Sequence, residues 1–335
     1  MNFRWLACSG LAFFLVTSRA EAFGSGDDSG ASGFKSLSLV ATSRSAALGG
    51  ADCALPANSL AAAGNPSASA GIVSRTAGIA VIDYVLDVLP VVAYGAYPTR
   101  HGVWSVVVGN VSFGEFQRTN ETAAEIGTFG ANDLSLRVGW AAPLRLGIAG
   151  GVSLGWIRST IDAYSSSALV MNVGFQWHAP NQQTVVAVSA ENLGGALSSY
   201  VGGSQGLKDD VPTEFHAGVS HRPAHFPLPL LLVSDFTLPR DNEASASVGA
   251  EIRPFEPLFI RLGYASLVRY RSNTDVDGTH KSGFAFDDRH GSAFGGSGLA
   301  AGFGIVHKSL ALDYAYSLAG ALAEFTALPP RGHGN

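Results

Sequence analysis

Nine histidines, twenty-six acidic residues and two cysteines are the side chains with which this chain could do chemistry. Their spacing argues against most of it. The histidines are scattered, with no His-Glu-x-x-His motif and no paired spacing that would turn two ligands onto one face. Asp275-x-Asp277-Gly278 opens like a calcium loop, but the bidentate glutamate at its far end is missing, so a solvated acidic turn is expected. There is no G-x-S-x-G and no phosphate loop, and the glycine-rich run 291–298 leads a strand rather than opening a helix. No serine and histidine share one segment in the placement that a barrel-embedded lipase would need. The reading is therefore a non-enzyme, with no cofactor and no metal.

What remains is the placement of charge. Arg137 falls between Leu136 and Val138, in a run where Leu134, Leu136, Val138 and Trp140 alternate with Ser135, Arg137 and Gly139. Such a period of two gives a sheet with two different faces. Leu144–Trp156 repeats it, with Leu144, Leu146, Ile148, Val152, Leu154 and Trp156 against Arg145, Gly147, Ala149, Gly151, Ser153 and Gly155. So do the runs around Leu258–Tyr264 and Leu310–Tyr316. Arg137, Arg145, Glu191, His216, Asp235, Glu251, Arg253, Arg261 and Asp313 all fall on the small or polar face. If the apolar face looks at lipid, these nine point into an enclosed lumen, where charges that satisfy one another are the expected arrangement. Matching faces across the hairpin at Phe255 and Glu256 sets Glu251 opposite Arg261 as an ion pair.

The elements that must position these charges follow from composition. Charged residues make up 14%, against about 25% in a soluble domain, with 41 glycines and a mean hydropathy of +0.21. No run downstream of the amino terminus reaches the 18 or so apolar residues of a spanning helix. About fourteen alternating segments do appear, at 78–85, 90–97, 102–113, 130–141, 144–157, 165–178, 182–194, 212–222, 228–238, 244–254, 257–269, 294–306, 309–317 and 322–328, an even number as bacterial barrels have. Links after even-numbered segments are short, while the three long ones, Gly114–Phe129, Gly195–Val211 and Tyr270–Ala293, follow odd-numbered ones. That sorting matches short periplasmic turns and longer outer loops. The fold class is all-β, a transmembrane antiparallel β-barrel of about fourteen strands. A soluble sandwich gives no reason for the sorting.

Residues 1–22 read as a secretory signal, with Arg4, the apolar run Trp5–Val16 and an Ala20-Glu21-Ala22 cleavage site. Cys8 would leave with it, so Cys53 is expected to be a buried free thiol. Residues 23–42 are expected to be a flexible lead-in, 43–75 a plug inside the lumen, 76–328 the barrel and 329–335 a tail. The mild net charge of -5 carries no basic stripe, which excludes nucleic acid as a partner.

The plug stretch, with Arg44, Ala46, Ala47, Leu48, Gly49, Gly50, Ala51, Asn65 and Pro66, resembles the amino-terminal signature of FadL-like outer-membrane barrels. More closely it resembles the PorV/PorQ family of the type IX secretion system, on the PorQ side, with Ser67 where that family has alanine. Glu191-Asn192-Leu193-Gly194, Phe259–Tyr264 and Tyr314–Phe325 add to the resemblance. It implies a non-enzymatic outer-membrane accessory of type IX secretion that assists cargo recognition, transfer or surface attachment. Its partners would be outer-membrane lipid and other secretion components or cargo, docked on the loop bearing Arg271, Asp275, Asp277, Asp287, Asp288 and Arg289. The alternative is a FadL-like channel for uptake of a small hydrophobic compound, with a plug that moves. A structural barrel without substrate is the third reading.

Overall fold

The computed structural model describes residues 32–39, 42–84, 88–200, 209–274, 280–287, 298–317 and 320–327, with side chains left aside at 267–274, 280–287, 320–323, 325 and 327. The signal, the tail, and Asp275, Asp277, Asp288 and Arg289 lie outside the described residues.

Strands β1 (Thr76–Tyr84), β2 (Leu89–Thr99), β3 (Gly102–Thr119), β4 (Glu125–Pro143) and β5 (Ile148–Ile161) are followed by β6 (Tyr164–His178), β7 (Thr184–Ala196), β8 (Glu214–His221), β9 (Leu230–Pro239) and β10 (Ala244–Phe255). Next come β11 (Leu258–Thr274), β12 (His280–Asp287), β13 (Gly298–His307), β14 (Leu310–Ser317) and β15 (Gly320–Ala327). Each strand pairs antiparallel with its sequence neighbour through β11, and the ring closes where Ile79 of β1 meets Phe325 of β15. Closure removes the open edges, which hydrocarbon does not tolerate. Of the fifteen strands, β12 pairs with the outer half of β11 while β13 pairs with its inner half, so fifteen less one leaves fourteen in the ring.

The outward faces carry the apolar residues. Leu136, Val138, Leu154, Ile260, Leu262 and Leu312 are exposed on the outer surface, Leu154 by 64% and Leu262 by 62%. In an aqueous setting such a belt would aggregate; against lipid tails it costs nothing. The closed ring with its apolar outer belt is a membrane-spanning β-barrel, and by the sorting of its connections the end with the short turns is read as the periplasmic one.

Several boundaries differ from the sequence reading. Residues 144–147 form a turn, with Leu146 at φ 59° and 89% exposed and Gly147 at φ 76°, so β5 starts at Ile148. Leu144 and Leu146 extend the alternation by accident of spacing, and Arg145, expected in the lumen, is exposed on this periplasmic turn. Most of Gly114–Phe129 is strand: β3 and β4 run 18 and 19 residues, against about 10 needed to span. They project as a hairpin beyond the outer surface, past a register shift between Ser112 and Glu115. Likewise 270–274 continue β11 and 280–287 form β12, so Arg271 and Asp287 sit on a strand pair rather than in an open loop. Polar, glycine-bearing sequence there hid strands that need no apolar face once they leave the membrane.

Residues 32–39, expected to be flexible, are anchored. Ser32 bridges to Asp210 and Phe34 is buried among Ile157, Ala168, Val170 and Val211.

Candidate functional site

The plug is built by local signals. Thr42 caps a five-residue helix, α1 (Ser43–Ala47), by accepting the Ser45 N–H at 2.8 Å. Gly49 and Gly50, at φ 72° and 83°, stop it in the left-handed region that glycine adopts without strain, and Gly50 N–H returns to the Ser45 carbonyl at 2.8 Å. Asn65 then caps a short 3-10 helix (Pro66–Gly71) by accepting the Ser67 N–H at 3.1 Å, with Pro66 in the first position where no N–H is needed. Its Nδ2 donates to the Cys53 carbonyl at 2.8 Å, so two segments of the plug are tied together.

The seat for this plug is glycine on the lumenal face. A Cβ at Gly151 would lie 2.5 Å from Ser67 N and 2.6 Å from the Pro66 carbonyl carbon, and one at Gly249 would lie 2.8 Å from the Leu48 oxygen. Plug backbone therefore touches barrel backbone, which only side-chain-free positions permit. Between these contacts, wall side chains satisfy plug carbonyls: Gln176 Nε2 donates to Cys53 O at 3.0 Å, Ser153 to Ala62 O at 2.8 Å, Asn172 to Gly64 O at 3.0 Å and Ser220 to Ala54 O at 2.9 Å. A buried loop needs such partners for its orphan backbone groups.

Charge pins the plug's first turn. Arg44 donates to Glu251 through Nε at 2.9 Å and Nη2 at 2.8 Å. Glu251 stands opposite Arg261 in the β10–β11 register and accepts from its Nε at 2.7 Å, while Arg261 Nη1 donates to Asp313. Two guanidinium groups thus alternate with two carboxylates across α1, β10, β11 and β14. Nearby, Glu324 accepts from the Ser43 N–H at 3.1 Å and from the Tyr94 hydroxyl.

A second group surrounds the plug's middle. His216 Nε2 lies 3.2 Å from Glu214 and 3.8 Å from Glu191, and its Nδ1 lies 3.1 Å from the Thr237 hydroxyl. Asp235 accepts the Cys53 N–H at 2.7 Å. Burial pushes the Asp52 carboxyl up from its ordinary value, opposed by the Ser45 hydroxyl at 2.8 Å. Burial, then the negative charges of Asp235 and Glu191, push the Cys53 thiol well above the usual range. Among the described residues no three His, Cys, Asp or Glu side chains are arranged to hold a metal ion.

At the outer mouth Asp241 accepts from Ser32 and from Lys35. Burial works against this carboxylate, but the Lys35 and Ser32 hydrogen bonds and the Lys35 charge hold it below 3.8. Beneath this contact, residues 36–39 close one side of a cavity of about 60 Å³ whose other walls include Ile82, Val92, Val107, Val111, Ser135 and Arg137. The lining is aliphatic at most positions, and Arg137 brings the charge.

The remaining sequence candidates fall as follows. Glu191, Asp235, Glu251 and Arg261 are buried, and His216 and Asp313 are nearly so. Arg253 is 38% exposed at the periplasmic rim, 3.5 Å from Glu256, rather than in the lumen. Sequence reasoning passed over Asn172 and Gln176, each of which donates to two plug carbonyls. Their signal was available, since Asn172 and Gln176 share the lumenal parity of β6 with Gly174. Glu324, on the weakly patterned last strand, had no such signal.

No protein-family model matches the chain, and no curated protein matches it in sequence. Solved structures do. The toluene transporter TodX of Pseudomonas putida superposes with a TM-score of 0.59 at 10% identity, covering 85% of this chain and 96% of that one. CymD, a monoaromatic hydrocarbon channel, gives 0.52 at 13% identity, covering 87% and 96%. The likeness at these identities is one of fold: the chain shares the β-barrel architecture of these structures.

Proposed function

We propose that the protein is a channel for uptake of a small hydrophobic compound across the outer membrane. The observation that carries this is the largely aliphatic cavity between residues 36–39 and β1 to β4, at the outer end of the plugged lumen. TodX and CymD, which share the architecture, are described as hydrocarbon channels. The cavity's about 60 Å³ is less than half of the roughly 150 Å³ that takes a benzene ring. A larger molecule would have to displace residues 36–39, held at one end by the Lys35 and Asp241 pair.

The accessory role in type IX secretion has the amino-terminal pattern in its favour, and no feature of the lumen adds to it. Cells lacking their own channels of this kind, given this protein, should take up labelled toluene faster than cells with an empty vector. Equal uptake, together with recovery of secretion components or exported cargo on the tagged protein, would overturn the channel reading in favour of the accessory.

A further inference from the structure

We infer that the rim at the short-turn end is a docking ring for an anionic phospholipid leaflet, with a cation at nearly every turn to take a lipid headgroup. The inference goes beyond the channel reading and does not depend on what crosses the lumen.

Arg100 stands in the β2–β3 turn, Arg145 in β4–β5, Arg222 in β8–β9 and Lys308 in β13–β14. Arg253 lies at the end of β10, just before the β10–β11 turn, and Arg75 leads into β1. Of the six short turns, β6–β7 alone has no Lys or Arg beside it. All of these cations except half-buried Arg253 are exposed. Among the described residues of the same turns the one carboxylate is Glu256, already 3.5 Å from Arg253. Six cations less one carboxylate leave the rim with an excess of five positive charges, on a chain whose net charge is -5. Charges of one sign set around a ring repel one another, and a negatively charged surface relieves that repulsion.

The neighbours of these cations choose the partner. The Arg75 guanidinium lies 4.5 Å over the ring of exposed Tyr97, and Leu146, next to Arg145, is 89% exposed. Phe226 shares the turn of Arg222, Phe255 follows Arg253 by two residues and Leu310 follows Lys308 by two, and all three are exposed. Trp104 and Trp177, exposed at the same ends of β3 and β6, stand where an aromatic girdle meets lipid headgroups. A soluble acidic protein would match the charge and has no call for an apolar side chain at every turn. A lipid with an anionic head supplies both, its phosphate to the cation and its glycerol and upper acyl chain to Leu146 or Phe255. The rim is also continuous with the apolar belt along each strand, so lipids that end on the belt bring their headgroups to the level of the cations. Each Lys or Arg so placed is worth roughly fivefold in attraction to an anionic leaflet.

The test is tryptophan fluorescence of the full chain in phosphatidylcholine vesicles, with Trp5→Phe and Trp156→Phe so that Trp104, Trp140 and Trp177 at this rim report. Brominated phosphatidylglycerol and brominated phosphatidylcholine, each at the same small fraction, serve as quenchers. At low salt the anionic lipid should be preferred by at least about fivefold, and about 1 M salt, which needs no variant, should remove the preference. Arg100→Glu, Arg145→Glu and Lys308→Glu together take six charges from an excess of five and should erase it, whereas Arg158→Glu with Arg240→Glu, exposed at the opposite end, should leave it. Equal quenching by the two lipids, a preference that survives salt or the triple variant, or one lost equally in the opposite-end variant overturns the inference. If the lipids quench alike while the parent in detergent binds poly-glutamate and the triple variant does not, the ring serves a soluble acidic partner and the lipid inference falls. The channel reading is untouched by any of these results.

Discussion

Adding one methyl group at the plug's seat is the sharpest perturbation that the geometry offers. Gly151→Ala would put a Cβ 2.5 to 2.8 Å from three backbone atoms of Pro66 and Ser67, and Gly249→Ala would put one 2.8 to 2.9 Å from Leu48. Ordinary contact needs 3.4 Å or more, so the plug must retreat by most of an ångström. Overpacking of this kind costs roughly 1–3 kcal/mol, a 5- to 150-fold shift toward states with the plug unseated. The barrel ring, whose pairing does not involve these side-chain positions, should survive. Cys53 reports the outcome, because it is 1% exposed and its thiol is held protonated by burial, so it is silent to maleimide at pH 8 while the plug is seated. Asn65 ties Pro66 to the Cys53 carbonyl, which links the Gly151 lesion to the reporter. In a Cys8→Ser background, both alanine variants should label roughly 5- to 150-fold faster than the parent. Gly195→Ala, whose added Cβ meets nothing within 4 Å, should label at the parental rate. If Gly151→Ala and Gly249→Ala label no faster than Gly195→Ala, the plug is not held by backbone fit.

Three further outcomes follow from the same structure. Glu251→Gln strips the carboxylate that two arginines share, and loss of one partner from a buried pair costs about 3–5 kcal/mol, reduced here because Arg44 is partly exposed; urea unfolding in detergent should show a lower midpoint, and an unchanged one would dismiss the network. Leu154→Arg, on the outer belt, should destabilise folding into lipid vesicles by roughly 2–4 kcal/mol, and a neutral effect would mean that this face does not meet hydrocarbon. Asp241 has its pKa depressed in the folded state, so its contribution is complete above 3.8 and is lost as pH falls through that value and below; hydrogen exchange at 32–35 should quicken over that range in the parent and be fast at all pH values in Asp241→Asn.

The ring of fourteen strands was legible because lipid enforces a strict rule: each spanning strand must show apolar residues on alternate positions, and each hairpin must keep that parity across its turn. The rule gave Glu251 and Arg261 their facing positions, and Leu136, Leu154 and Ile260 their outward ones. It failed wherever the constraint lapses. Leu144 and Leu146 obeyed the alternation in a turn, while Phe113–Thr119 and Lys281–Phe286 broke it in strands beyond the bilayer. Anchoring of residues 32–39 was invisible for another reason. It depends on Asp210 and Asp241, each more than 170 positions away, and a Ser/Gly/Lys segment reads as loose until its partners are known.

The glycine content takes on meaning once the plug is seen. A ring of fourteen strands encloses more space than wall side chains alone can fill, as they do in barrels of about eight. Here the lumenal face is pared down at Gly139, Gly151, Gly249 and Gly302 so that a second piece of chain fits against the strands. Filling by a segment rather than by wall side chains means that the filler is attached through hydrogen bonds and one charge network, each worth little enough to be broken alone. The ring itself is held by backbone pairing that closes from strand to strand. The two parts therefore differ in the work needed to move them. Where the filler stops short, beneath residues 36–39, the wall turns aliphatic and one arginine is left with only amides for company.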